Sequence, residues 1–238
     1  MIPNHEYYLY TTPRCNLESL TQITEITISC DIFISMKKPA SICIFGDSTA
    51  WGAWDMEKGG WVNRLWLDVA NKEDPNYVEV YNCSISGGTT ETILERFESE
   101  AKIREADGLI FQSGGNDSCF IGKNGLNQIP IDKFRDNLKE IVKRAQSITD
   151  NMIFIGFKDI DESKTNPVSW GDIYYTSSEI KKYDDVMESI CKEKNIPYLN
   201  IFGLLNNEDF DDGLHPNAEG HHKIFEKVKD FLIKNNWI

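Results

Sequence analysis

No stretch of this sequence is apolar for long enough to span a bilayer, and no two cysteines stand in a C-x-x-C pair. The first absence argues against stable insertion in a membrane. The second leaves six scattered cysteines (15, 30, 43, 83, 119 and 191), read as reduced thiols in a cytoplasmic protein. Cys43 lies inside an apolar run, where a thiol acts as a small hydrophobe. Basic charge is scarce too: 25 Lys and Arg stand against 38 Asp and Glu, a formal net charge of -13. A surface of that sign disfavours nucleic acid as the main partner and, more weakly, an anionic membrane surface. The first residues, Met1-Ile2-Pro3-Asn4-His5-Glu6, lack the basic region and apolar stretch of a secretory signal. Internal repeats, low-complexity tracts and a G-x-S-x-G elbow are all missing.

What is present suits one domain, or one domain with an appendage: 238 residues, 40% hydrophobic, with 6 Trp and 12 Phe to fill a core. Residues 1–38 differ from the rest. Ile26, Ile28, Cys30, Ile32 and Ile34 alternate as in a strand, yet Met36-Lys37-Lys38-Pro39 reads as an ordinary start just before a core strand. This segment is either an added arm or edge strand or the product of a start placed too far upstream, and the second reading is preferred. Residues 39–238 form the expected domain.

From Ser41 on, short apolar runs alternate with amphipathic stretches. Strands are expected at 41–45, 77–81, 108–112, 152–157 and 197–201. Helices are expected at 61–70, 90–103, 131–148, 177–194 and 217–233. Continuous apolar strands separated by helices make a parallel sheet covered on both faces, a three-layer α/β/α domain. Ligands bind such sheets outside the carboxyl ends of the strands.

Small and polar residues gather at those ends: Gly46-Asp47-Ser48-Thr49, Ser86-Gly87-Gly88, Gly114-Gly115-Asn116-Asp117 and Asp212-Gly213-Leu214-His215. Ser48 follows a buried strand and a turn-forming glycine, which suits a nucleophile, and a serine nucleophile needs a base. Of the four histidines only His215 is expected on a loop at the ligand edge, since His5 lies in the arm and His221 and His222 lie one turn into the last helix. Asp212, three residues before His215, can curl back to orient its ring. Taken alone, Asp212-x-x-His215 is equally a helix start beside a chance histidine. The Ser48 and Gly87 N–H groups and the Asn116 amide can act as oxyanion donors, although each segment alone is also common turn chemistry. Asp47 and Asp117 are read as braces for their loops. Trp51, Trp54 and Trp61 cluster after the nucleophile and could line a pocket, but Trp61 and Trp66, at helical spacing, are expected in the core. Residues 158–176 are expected to form a lid or wall.

These four blocks, in this order, resemble the SGNH hydrolases, also called the GDSL lipase/esterase family, over about residues 40 to 235. The Ser is Ser48, the Gly is Gly87, the Asn is Asn116 and the His is His215; Thr49 replaces the Leu of the namesake tetrapeptide. The resemblance implies a flavodoxin-like sheet of five parallel strands in the order 2-1-3-4-5. It also implies hydrolysis of a small-molecule acyl ester without cofactor or metal, through an acyl-enzyme made by Ser48, His215 and Asp212 with oxyanion donors Ser48, Gly87 and Asn116. Two alternatives stay open: acyl transfer from the same intermediate, and a non-enzymatic module cradling a phosphate at the Gly46 loop. A metal site on His215, His221 and His222 is disfavoured, because the spacing of zinc hydrolases is absent. Oligomeric state is not legible.

Overall fold

The computed structural model describes residues 38–70, 73–74 and 77–238. The alternating segment at 26–34 therefore lies outside the described residues. The chain runs β1 (Ser41–Gly46), α1 (Ser48–Trp51), α2 (Trp61–Val69), β2 (Glu79–Asn82), α3 (Thr90–Leu94), α4 (Phe97–Ile103), β3 (Gly108–Gln112) and α5 (Gly115–Ser118). It continues through β4 (Phe120–Ile121), α6 (Ile131–Ala145), β5 (Met152–Ile155), α7 (Glu162–Thr165), β6 (Ile173–Tyr174), α8 (Ser177–Lys194), β7 (Tyr198–Leu199) and α9 (Ala218–Lys234).

Five strands form one sheet in the order β2-β1-β3-β5-β7, with every pair parallel. Counted within that sheet, this is the expected 2-1-3-4-5 order. Side chains alternate between faces along each strand. Cys43, Phe45, Leu109, Phe111 and Phe154 therefore share one core with Ile93 of α3, Phe97 of α4, Phe134 of α6 and Met187 of α8. Ile42, Ile44, Ile110, Ile153 and Ile155 share the other core with Trp61 of α2 and Ile224 of α9. The two cores are the physical basis of the three layers. On the first face Phe45, Phe111 and Phe154 stack, with ring centroids 5.8 and 5.1 Å apart, and Phe97 meets Phe45 edge-on at 6.0 Å. Each such pair adds about 0.5–1.5 kcal/mol beyond its buried area.

The differences from the sequence reading have local causes. The helix expected over 90–103 is two helices, broken at Glu95-Arg96. The break turns Phe97 fully into the aromatic core and lays the Arg96 guanidinium over the Phe45 ring. The fourth and fifth expected strands are shorter, because residues beyond Ile155 and Leu199 leave the sheet to build its ligand edge. A small antiparallel pair, β4 with β6, was not expected and lies partly in the 158–176 stretch. Trp61 is fully buried as expected, but Trp66 is 45% exposed. Trp61, Val62 and Leu65 fill the inward stripe of α2, and Trp66 falls on its outer face. Cys43, Cys83, Cys119 and Cys191 are buried free thiols. No helix among the described residues is long and apolar enough to cross a membrane.

Candidate active site

The site begins where β1 runs into α1. Gly46 is required there by space: a Cβ would stand 2.5 Å from the Ala50 Cβ and 2.6 Å from the Gln112 carbonyl oxygen. Asp47 caps α1, its Oδ1 accepting from the Thr49 N–H at 2.9 Å, and Ser48 opens the helix. The cap holds the Ser48 side chain at the carboxyl edge of the sheet.

His215 reaches this corner from the loop between β7 and α9. Its Nε2 lies 3.0 Å from Ser48 Oγ, and its Nδ1 lies 2.7 Å from Asp212 Oδ2. The other Asp212 oxygen accepts from the Leu214 N–H at 2.9 Å and the His215 N–H at 2.8 Å. Burial alone would raise the Asp212 carboxyl. The hydrogen bonds from the His215 side chain and backbone outweigh it and hold the group well below the usual carboxylate range. Asp212 is thus a carboxylate with two roles, closing its own loop with one oxygen and fixing the imidazole with the other.

The three expected oxyanion donors follow three neighbouring strands, β1, β2 and β3. Gly87 sits in a turn at φ 77°, a left-handed conformation that glycine adopts freely, and its N–H has no acceptor among the described residues. The amide of Asn116 donates to the Gly88 carbonyl at 2.9 Å, and its oxygen accepts from the Tyr175 hydroxyl at 2.8 Å. One amide hydrogen of Asn116 therefore has no acceptor among the described residues. Ser48 and Asn116 line the same cavity, together with Gln112, Ser113, Lys158 and Tyr175.

The two neighbouring aspartates brace. Asp47 caps its helix, and Asp117 accepts from the Thr90 N–H and hydroxyl, joining α5 to α3. Burial raises Asp47, opposed by the Thr49 N–H and the charge of Lys158, and pushes Asp117 up to about 7. His221 does not face the site. It is fully buried, its Nδ1 accepting from the Trp61 N–H at 3.3 Å and its Nε2 donating to the Ala53 carbonyl at 2.9 Å. His222 lies on the outer side of α9, 4.0 Å from Glu226.

Lys158 and Tyr175 escaped the sequence reading as site residues, and Trp54, expected to line a pocket, was not expected as a partner of Asp212. Lys158 is buried just past β5, and its Nζ donates to the Leu214 carbonyl. Burial lowers it to about 8, opposed by the charges of Asp47, Asp212 and Asp159. The strand-end rule points to this position, but a lysine there breaks the pattern of small residues seen at the other ends. Tyr175, which holds Asn116, carries no signal in the sequence. Trp54 donates its indole N–H to Asp212 Oδ2 at 2.9 Å, and the Trp170 ring lies 5.7 Å from that of His215. The expectation that 158–176 walls the site is met at Trp170.

Residues 44–223 match the model of the GDSL-like lipase/acylhydrolase family. The chain belongs to this family. Membership makes it a carboxylic ester hydrolase and removes the alternative of a non-enzymatic binding module. A GDSL esterase/lipase of Arabidopsis thaliana, CPRD49, is 24% identical over 208 residues, covering 82% of this chain and 80% of that protein. The isoamyl acetate-hydrolyzing esterase of Saccharomyces cerevisiae is 26% identical over 132 residues, 51% of this chain and 52% of that one. Among solved structures, the psychrotrophic esterase EstA from Pseudoalteromonas sp. superposes with a TM-score of 0.64 at 21% identity, covering 82% of this chain and 97% of that one. A catalytic mutant of Axe2, an acetylxylan esterase from Geobacillus stearothermophilus, superposes with a TM-score of 0.65 at 16% identity, over 86% and 98%. At these identities the superpositions speak for the family's fold.

Proposed function

We propose that this member of the family is a serine esterase of short-chain acyl esters, with Ser48 as nucleophile, His215 as general base and acid, and Asp212 as the orienting carboxylate. The observation that carries the reading is the line of contacts Ser48 Oγ–His215 Nε2–His215 Nδ1–Asp212 Oδ2, at 3.0 and 2.7 Å. In the first half-reaction Ser48 Oγ attacks the ester carbonyl carbon while Nε2 takes its proton. Negative charge develops on the carbonyl oxygen, facing the Ser48 and Gly87 N–H groups and the free hydrogen of the Asn116 amide. His215 returns the proton to the departing alkoxide, leaving an acyl ester on Ser48. In the second, a water loses its proton to Nε2 and attacks that ester, the carboxylic acid leaves, and the proton returns to Ser48.

The cavity argues for a short acyl group. Beside the nucleophile its wall carries Lys158 and Ser113 along with Phe157, Ile180 and Leu214. A long aliphatic chain there would pack against the buried Lys158 ammonium and offer no hydrogen bond to the Ser113 hydroxyl, which is buried without a partner among the described residues. The test sets wild type and Ser48→Ala against acetyl, butyryl, long-chain and thioester substrates. Wild type should prefer the acetyl and butyryl esters. Ser48→Ala should keep its melting temperature and lose hydrolysis by several orders of magnitude. Near-wild-type turnover by the variant, once contaminating esterase is excluded, overturns the nucleophile; a preference for long chains overturns the acyl assignment.

A further inference from the structure

Trp54 follows α1 in the segment that carries Ser48, with its backbone in the left-handed region at φ 66°. A bulky L-residue is rarely found there, because its Cβ crowds the following carbonyl. Conformations of this kind persist where their surroundings over-determine them. Core packing of the indole does not account for this one, since Trp54 is 51% exposed.

Two contacts do account for it. On the backbone side, the carbonyl of Ala53 accepts from His221 Nε2 at 2.9 Å, and His221 Nδ1 in turn accepts from the Trp61 N–H. His221 is fully buried in α9, so the peptide that leads into Trp54 is clamped to that helix. On the side-chain side, the indole N–H donates to Asp212 Oδ2 at 2.9 Å, the same oxygen that holds His215 Nδ1. The indole also meets the imidazole edge-on, with centroids 6.4 Å apart at 85°.

Asp212 and His215 share one loop, and Ser48 stands on another. The backbone N–H groups of Leu214 and His215 fix the carboxylate within its own loop only. The Trp54 bond ties it across 158 residues of sequence to the segment of the nucleophile. We propose that Trp54 is a positioning residue of the catalytic apparatus: its N–H holds Asp212 Oδ2 in line with His215 Nδ1 and keeps the base loop in register with Ser48. This rests on the proposed roles of Ser48, His215 and Asp212. It gives the strained backbone a purpose, because φ near 66° aims the indole back over the base.

The test replaces Trp54 by phenylalanine and, separately, by 3-benzothienylalanine, which keeps the shape of indole and puts sulfur in place of N–H. Turnover of an acetyl ester, melting temperature and the low-field proton resonance of His215 Nδ1–H are followed together. Loss of a hydrogen bond to a charged group should lower kcat about tenfold in both variants, with KM within about twofold. The benzothienyl protein should melt within a few degrees of wild type, and its His215 proton resonance should shift. An unchanged kcat in the benzothienyl protein, a kcat loss that follows the melting temperature, or an effect confined to KM each overturns the positioning role; the last would make Trp54 a substrate wall. If wild type itself proves not to use Ser48, the underlying triad reading fails, and that failure appears in the Ser48→Ala assay whatever Trp54 does.

Discussion

Truncation of Asn116 to alanine separates catalysis from architecture, because the side chain serves both. Its free amide hydrogen faces the developing oxyanion in the proposed mechanism, and loss of one such donor lowers kcat by about 10²–10³, or about 2.7–4 kcal/mol in the barrier. KM should change far less, since the charge forms only on attack. The same truncation leaves the Gly88 carbonyl and the Tyr175 hydroxyl without the partners they have at 2.9 and 2.8 Å. Asn116 is only 8% exposed, so water replaces it poorly. Each orphaned group costs about 1–3 kcal/mol, for about 2–6 kcal/mol in all. At about 2–4 °C per kcal/mol for a chain of this size, the melting temperature should fall by roughly 4–24 °C. Tyr175→Phe is the control, because it removes the hydroxyl from Asn116 and leaves the amide donor in place. Kinetics on an acetyl ester, well below either melting point, should show a large kcat loss in Asn116→Ala and a small one in Tyr175→Phe. Asn116→Asp should be at least as damaging as Asn116→Ala, since a carboxylate would face the oxyanion. A folded Asn116→Ala protein whose kcat falls no further than that of Tyr175→Phe would remove Asn116 from the oxyanion site.

Two further outcomes are expected. Burial lowers His221 from 6.5 to about 4, opposed by its bond to Ala53. Below pH 6.5 the unfolded chain takes up a proton that the folded one refuses until about pH 4, so stability falls across that window by about 3 kcal/mol. His221→Gln should lack this slope. Asp117, raised by burial from 3.8 to about 7, gives a slope of opposite sign in both proteins, so the difference in urea midpoints between pH 7 and 4.5 isolates His221. Equal midpoint changes in the two proteins would refute the assignment. Separately, a chain that starts at Met36 should melt and turn over like the full one, and a large fall in melting temperature would assign Ile26–Ile34 to the fold.

Much of the architecture is legible in sequence because its signals are local and strong. Ile42–Phe45 and Leu109–Phe111 are unbroken apolar runs bounded by glycine or polar residues, the pattern of short strands covered on both faces. The break before Phe97 is not legible, because the pull of the Phe45–Phe111 stack on one ring has no local signature. β4 and β6 span two residues each, too few for any period to register. In the site, Ser48 and His215 stand out by chain position and Asp212 by its three-residue spacing from the base. Trp54, Tyr175 and Lys158 owe their places to contacts with residues 158, 59 and 56 positions away. Such pairings become visible only once the sheet order sets which loops meet.

Covalent labelling tests the central claim most directly. A fluorophosphonate should react once per chain at Ser48, identified by mass on its peptide, with activity lost in step, and His215→Ala should label far more slowly because the base is gone. Full esterase activity in protein that stays unlabelled, or a stoichiometric adduct at a residue other than Ser48, would contradict the account.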